Sequence, residues 1–564
     1  MNLRVLAAVL AGLLVAASLQ GRAETGFPIL LDYVVDTTAD PTPDNSCTTD
    51  PASECSLREA IIEANTTLGD VDAHIVLPDL GAPGPDTFEL EIADVSGDED
   101  AAATGDLDIF EDISFFGQGK TQTIIDANSL GRAFDINGAF FVVFDGVQIK
   151  GGAVTDAYGG GIFSLDGKIT LRDAAVKGNK LTNTDNIIDS GAGIAILRGS
   201  LRLEDSLVSQ NTAQDCTSPP CVEPGRTFGG GIYNGSGAVI ALGSTIRANH
   251  ASDGGGIYAN RFPGETVNPN TRLVDSIVDG NTARLFGGGI VNRGDQSTLT
   301  LLRTIVSGNS ADIGSSDGLD GEGIVRIAGS SIRGHDGIGL NLGGATTITD
   351  TTINANGVGF VVSCSCAIAK LERVTVSGNS DYGIRTTSSS ETTIINSTIS
   401  GNGNTLTSGA GSGIRNDGDL VVQSSTITGN KALGFAGGIR NEGEVSLLNT
   451  IVANNKLSSG DCGNFNGGTL DSLGYNLDSD DSCSLDRPSD KPGVDPMLGS
   501  LADNGGATRT HALLTGSPAI DTGPPSCPPP ETDQRKVSRP RNGTPAGDPR
   551  CDRGAFERKS AGVP

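Results

Sequence analysis

The 564-residue sequence predicts an all-β protein: a right-handed, single-stranded parallel β-helix with a short N-terminal capping helix and a small C-terminal disulfide-containing domain. Three observations predict it. First, Asn179, Asn211, Asn249, Asn281, Asn309, Asn356, Asn379, Asn402, Asn430 and Asn455 each stand three residues after a Val or Ile, and His335 holds the same place after Ile332. Successive members lie from 21 residues (335 to 356) to 38 residues (211 to 249) apart, the length of one solenoid coil with loops of variable size. Second, isoleucine directly follows glycine at 162, 194, 232, 257, 290, 324, 338, 384, 414 and 439. Third, the intervening stretches, such as "LTLLRTIVSGN", alternate with a period of two and are rich in β-branched residues, which favours strands. With 80 glycines, no tryptophan and 4% aromatics, the chain is poor material for several large-residue cores. A solenoid needs less.

The elements follow in chain order. Residues 1–23 carry a cation at Arg4, an apolar run from Val5 to Ala17 and the small-residue site Gly21-x-Ala23, the pattern of a secretory signal peptide cut before Glu24. The run is shorter than the roughly 20 apolar residues that span a bilayer, and no later segment is a candidate span. Residues 24–85 form the N-terminal cap. In "ECSLREAIIEAN", Ser56 and Glu59 have capping-box spacing, and Leu57, Ala60, Ile61 and Ala64 line one helical face. Arg58 and Glu59 are read as solvated charges of that cap rather than as catalytic groups.

Residues 86–457 are the repeats, about a dozen coils. Stacked coils lie about 4.7 to 4.9 Å apart, so equivalent residues form ladders along the axis. The isoleucine ladder fills the interior, each side chain contributing roughly 1.5 to 3 kcal/mol on burial. Glycine before isoleucine permits φ > 0 or close backbone approach at a corner. Asparagine tolerates the left-handed conformation, and stacked amides hydrogen-bond from coil to coil. After Asn455 the composition changes, and residues 458–564 form the C-terminal domain.

Ten cysteines in an exported chain read as disulfides. Spacing pairs Cys47 with Cys55, Cys216 with Cys221, Cys462 with Cys483, and Cys527 with Cys551. Cys364 and Cys366 are left over, and a turn is needed to bring them together.

Two regions resemble known families. "VVDTTAD", "CSLREAIIEAN" and "GDLDI" (Gly105 to Ile109) are similar to the N-terminal region of the bacterial CSLREA-domain family, across roughly the first 150 residues. "GYNLDSDDSC", "DPMLGSLADNGGATRTHALLTGSPAIDTG", "TDQR" and "CDRGAFE" resemble the choice-of-anchor Q domain, across about Ser459 to Glu557. The coils also resemble the repeats of chlamydial polymorphic outer membrane proteins. These resemblances imply an exported right-handed β-helix protein, secreted or displayed at the bacterial cell surface. The "RKSAGVP" after Glu557 contains no apolar span or sorting motif.

For function, the net charge of −29 argues against nucleic acid as a partner. Parallel β-helices of the pectate-lyase type include polysaccharide lyases and hydrolases, which need a Lys or Arg base with calcium-holding carboxylates, or a carboxylate pair. The residue after each core isoleucine should point outward. It reads Tyr233, Tyr258, Val291 and Val325, then Arg385, Arg415 and Arg440, followed by Asp417 and Glu442. The arginines are candidate ligands for an acidic glycan, and the two tyrosines for sugar stacking. Asp98, Asp100, Asp106 and Asp108 are the candidate calcium ligands; no other cofactor is expected. The four histidines share no metal spacing. His335 reads as a substitute in the asparagine ladder, and His511 as a packed residue. The expectation is a secreted or cell-surface monomer, a non-catalytic binding, adhesion or surface-structural protein presenting a rigid face to glycans or a partner. A lyase or glycoside hydrolase of acidic polysaccharide is the alternative.

Overall fold

Ile232–Gly235, Ala238–Leu242 and Thr245–Arg247 make three sides of one coil, and the next coil begins at Ile257–Asn260. Repetition of this unit builds a right-handed parallel β-helix. The computed structural model describes residues 29–44, 47, 55–66, 71–81, 83–93, 102–184, 189–215, 225–313, 316–364, 366–403, 412–455, 460–527, 531–542 and 550–559. The expected signal peptide, Asp98, Asp100, Cys216 and Cys221 lie outside these residues. Three long parallel sheets run along the rod: sheet A with 16 strands, sheet B with 15 and sheet C with 14. Sheet A therefore extends about 70 Å at the usual strand spacing. A fourth, outer sheet D of 8 short strands lies outside the corner between sheets B and C and ends at Ser310–Ala311. No helix of the described residues is long and apolar enough to cross a membrane.

Alternation puts every second side chain inside. Ile257 and Ile290 from sheet C, Leu273 and Leu301 from sheet A, and Val278 and Val306 from sheet B are fully buried in one continuous core. At the N-terminal end, Phe115 and Phe144 stack with ring centroids 4.9 Å apart. Two expected core residues are not there. Ile290 pairs with Leu319, which continues through Leu340 and Phe360 to Ile384, while Ile324 opens a sheet A strand and is half-buried, as is Ile338. Val325, expected outside, is buried. A glycine–isoleucine pair marks a strand start; pairing with the coil before decides which side faces in.

The glycines divide the work at the corner. In Phe228–Ile232, Gly229 is left-handed with φ +66°, whereas a Cβ on Gly231 would lie 2.6 Å from the Gly256 carbonyl oxygen and 3.0 Å from the Asn249 side-chain amide nitrogen. Close packing against the asparagine ladder thus excludes any side chain before the isoleucine. Within the ladder, an asparagine Oδ1 accepts two N–H groups of the rung before it, an asparagine everywhere except His335 before Asn356, and Asn179 Oδ1 at the start accepts the Gly152 N–H. Asn249 donates its main-chain N–H (3.0 Å) and its Nδ2 (2.9 Å) to Asn281, and also bonds the Val208 carbonyl (3.1 Å). A second ladder at the corner between sheets A and B, made of Ser206, Ser244, Ser276, Thr304 and Ser330, does the same with hydroxyls.

His335 joins the asparagine ladder as a neutral ring. Its Nδ1 donates to Asn356 Oδ1 (2.8 Å), and its Nε2 accepts from Asn309 Nδ2 (3.3 Å). Burial lowers its pKa, against the Asn356 bond and the charges of Asp317, Asp279 and Asp336. A depressed pKa gives stability that is complete above the unfolded value near 6.5 and is lost as pH falls below it. His335→Asn is expected to lose less stability than the wild type between pH 6.5 and 5. Urea unfolding at several pH values checks it, and equal acid sensitivity of the two proteins counts against this role.

Both ends differ from expectation. Strands Ile29–Val34 and Val71–Val76 of the cap region already belong to sheet A. Helix α1 (Leu57–Thr66) has its capping box, with Glu59 N–H to Ser56 Oγ at 3.3 Å and Ser56 N–H to Glu59 Oε2 at 3.0 Å. Its charges are not solvated. Arg58 is fully buried and Glu59 nearly so, because the cap folds over them. At the other end, Cys462–Asn464, Thr469–Ser472 and Leu477–Asp478 continue all three sheets past residue 457. The chain then returns along the flank of sheet B rather than only closing the end. Thr375 Oγ1 donates to the Arg509 carbonyl (2.6 Å), Thr398 Oγ1 to Gln534 Oε1 (2.6 Å), and Ser400 Oγ to His511 Nε2 (2.8 Å). Cys47–Cys55, Cys462–Cys483 and Cys527–Cys551 are disulfides, and Cys364 pairs with Cys366 across a turn.

Candidate ligand-binding face

The outward column of sheet C, one residue after the core position, holds most of the singled-out side chains. It begins with acids. Asp108 pairs in register with Asp135 of the next coil, and carboxylate oxygens of Asp106, Asp108 and Asp135 lie within 4.8 Å of one another. Of the expected calcium ligands, Asp106 and Asp108 come together. Asp135 arrives from the next coil, a neighbour that linear spacing could not reveal. Three carboxylates at this distance could share a hard cation. Arg132 already supplies positive charge, pairing with Asp106 at 3.2 Å and with Asp135.

After Phe163 and Ala195 the column reaches Tyr233 and Tyr258, in register with each other. They point away from the core, as alternation requires, but they are not exposed: 3% and 7% of their surface is accessible. Phe228 of sheet D packs on Tyr258 with ring centroids 4.4 Å apart, and Tyr158 covers Tyr233 at 6.2 Å. Burial pushes the Tyr233 phenol well up and the Tyr258 phenol to about 12. The expected open stacking platform is therefore corrected. Half-buried Tyr158, Phe163 and Phe262 form the rim instead. Sequence reasoning missed all three, although Phe163 occupies the repeat position after Ile162 and is legible from the spacing; Tyr158 and Phe262 come from loops without a repeat position. Beyond the tyrosines, Asp253 bonds Arg226 (2.5 Å) and Arg293 bonds Asp320 (2.9 Å). Burial raises the Asp253 pKa, against the Arg226 charge.

Past the end of sheet D, Arg385, Arg415 and Arg440 stand in register on successive coils, as the repeat spacing predicts. Like charges about 4.8 Å apart repel unless acids intervene. Arg415 Nε bonds Asp417 at 3.1 Å, and Arg440 bonds Glu442 at 2.5 and 3.0 Å. The Arg440 guanidinium also lies 3.7 Å from the Phe435 ring centroid. Burial works to lower the Arg415 pKa, but Asp417 outweighs it and the net shift is upward. Burial likewise works to raise Glu442, but bonds from Asn466 and Arg440 leave its pKa below the ordinary value. Arg415 and Arg440 are thus ordered by ion pairs, whereas Arg385 Nε is buried with no hydrogen-bond partner among the described residues. The two paired arginines are suited to exchanging one carboxylate partner for another. Proton transfer near neutral pH needs a group closer to titration.

The sequence profile of the right-handed beta helix region matches residues 336–472. No curated protein matches the chain. Among solved structures, pectate lyase Pel9A is 14% identical, with 94% of this chain and 97% of that one covered, at a TM-score of 0.28. The Azotobacter vinelandii mannuronan C-5 epimerase AlgE6 A-module is 11% identical, with 75% and 95% covered, at a TM-score of 0.28.

Proposed function

We propose that this chain is an exported, non-catalytic β-helix protein of the CSLREA and choice-of-anchor Q type, secreted or held at the bacterial surface, that binds acidic glycan through the Arg385–Arg415–Arg440 stripe. The observation that carries this reading is the in-register row of three arginines, two of them held in place by Asp417 and Glu442. The Arg415 and Arg440 guanidinium groups are pre-oriented by carboxylates that a uronate or sialate group can replace, and the buried Arg385 Nε has no hydrogen-bond partner among the described residues. Four disulfides within the described residues are compatible with an oxidising compartment. Calcium at Asp106, Asp108 and Asp135, and a monomeric state, belong to the same proposal.

A glycan array probed with the purified chain tests it. Arg415→Ala and Arg440→Ala are each expected to weaken binding to acidic glycans by about fivefold to tenfold, the loss of one partly exposed charged contact. Arg440→Ala should cost more, because its cation–π contact with Phe435 goes as well. Release of unsaturated or reducing ends from an acidic polysaccharide, abolished by the same substitutions, would establish the lyase or hydrolase alternative instead.

A further inference from the structure

The outer face of sheet A carries a charge pattern unrelated to the sheet C stripe. Its middle outward column runs Arg202, Ile240, Arg272, Thr300, Arg326, Thr347, Lys370, each in register with the next. Cations thus recur at every second coil, about 9 to 10 Å apart. At the two ends they are paired, Arg202 with Glu204 (2.5 Å) and Lys370 with Glu372 (3.4 Å). In the middle, exposed Arg272 and Arg326 have no hydrogen-bond or ion-pair partner among the described residues.

Nothing beside them compensates this charge. The five strands Ala238–Leu242, Asn270–Val274, Thr298–Leu302, Ile324–Ala328 and Ala345–Thr349 contain no Asp or Glu, in a chain of net charge −29. Of the acids in the adjoining turns, Asp275 pairs with Arg303 (2.6 Å), Glu322 with Arg293 (2.6 Å) and Asp350 with Arg373 (2.8 Å), and exposed Asp295 pairs with neither Arg272 nor Arg326. Beside the cations, half-buried Leu242, Val274, Leu302 and Ala328 follow one another in register as an apolar ridge. Sheet C neutralises Arg415 and Arg440 with acids; sheet A leaves two exposed arginines open on an apolar-edged ribbon.

We infer that this ribbon binds a linear anionic polysaccharide laid along the rod axis. Arg272 and Arg326 each take one carboxylate in a bidentate contact, and the aliphatic ridge takes the C–H faces of the sugar rings. In an extended two-fold β-1,4-linked chain, carboxylates on one side recur at every second ring, which matches cations at every second coil. A nucleic acid or polyphosphate fits poorly. Its denser charge meets few cations here and is repelled by the acidic chain. The inference shares with the preceding proposal only that the protein binds glycans; the face and the residues are different.

Calorimetric titration of the full chain with a β-1,4-linked polyglucuronate octasaccharide tests it, with neutral cello-octaose and single-stranded DNA as controls. The wild type is expected to bind the octasaccharide and neither control. The Arg272→Gln/Arg326→Gln variant, folded by circular dichroism, should bind at least about tenfold more weakly. Arg247→Gln/Arg333→Gln, which removes two exposed cations of sheet B, should bind it unchanged. No binding by the wild type, undiminished binding by the sheet A variant, or equal binding of DNA overturns the inference. Loss of binding in Arg415→Gln/Arg440→Gln with none in the sheet A variant also overturns it while leaving the sheet C stripe standing.

Discussion

Arg58→Ala is expected to destabilise the N-terminal end of the rod by about 3 to 5 kcal/mol, the cost of removing one partner from a buried ion pair. The fully buried Arg58 guanidinium donates to Asp40 through Nε (2.7 Å) and Nη2 (3.0 Å), and to the carbonyls of Ala102 (2.8 Å) and Gly105 (3.0 Å). It ties helix α1 both to the chain before it and to the first strand of sheet C. Alanine would leave the Asp40 carboxylate with only the N–H groups of Glu91 (2.9 Å) and Ile92 (3.4 Å). Three carbonyls, those of Ala102, Gly105 and Asp106, would lose this donor as well. Arg58→Met restores volume but not charge, so it should be nearly as harmful, whereas Arg58→Met with Asp40→Leu should recover part of the loss. Hydrogen exchange over residues 102–109 reads the effect locally. A loss below about 1 kcal/mol would place Arg58 in the class of weak surface pairs.

Asn281→Ala is expected to cost a similar amount, about 3 to 5 kcal/mol, in the middle of the rod. Asn281 is fully buried. Its loss leaves the Asn249 main-chain N–H, one Asn249 amide hydrogen and the Ile246 carbonyl, which Asn281 Nδ2 now bonds at 3.0 Å, without partners. Each such buried group costs about 1 to 3 kcal/mol, partly recovered by relaxation. In a solenoid each coil contacts only its neighbours, so a weak central interface should also uncouple the two halves. Thermal unfolding followed by hydrogen exchange in both halves should then show two transitions where the wild type shows one. A single transition, lowered by only a degree or two, would mean that the ladder is ornamental.

The asparagine ladder was legible because one residue type recurs at one place in every coil, and the pairings of Val208, Ile246, Val278 and Val306 in sheet B follow that spacing. The serine and threonine ladder at the next corner was not. Ser206, Thr304 and Val374 occupy equivalent corner positions with different side chains, so no single letter repeats. For the candidate faces, the register of Arg385, Arg415 and Arg440 followed from the repeat, but their accessibility did not. Tyr233 and Tyr258 occupy the same column and are covered, because Tyr158 and Phe228, from the segments just before the corner glycines, pack over them.

By itself the sequence determined the periodic backbone: which residues turn corners, which amides stack, and that a rod without tryptophan can still bury a continuous core. Those properties are local and recur coil after coil, so spacing alone encodes them. Only the tertiary structure decided that Leu319, Leu340 and Phe360 replace Ile324 and Ile338 inside, that Arg58 is buried against Asp40, and that the C-terminal segment lies along sheet B. Each of these depends on which coil or loop lies against which. Burial is set by neighbours distant in the chain, and no residue's own spacing records them.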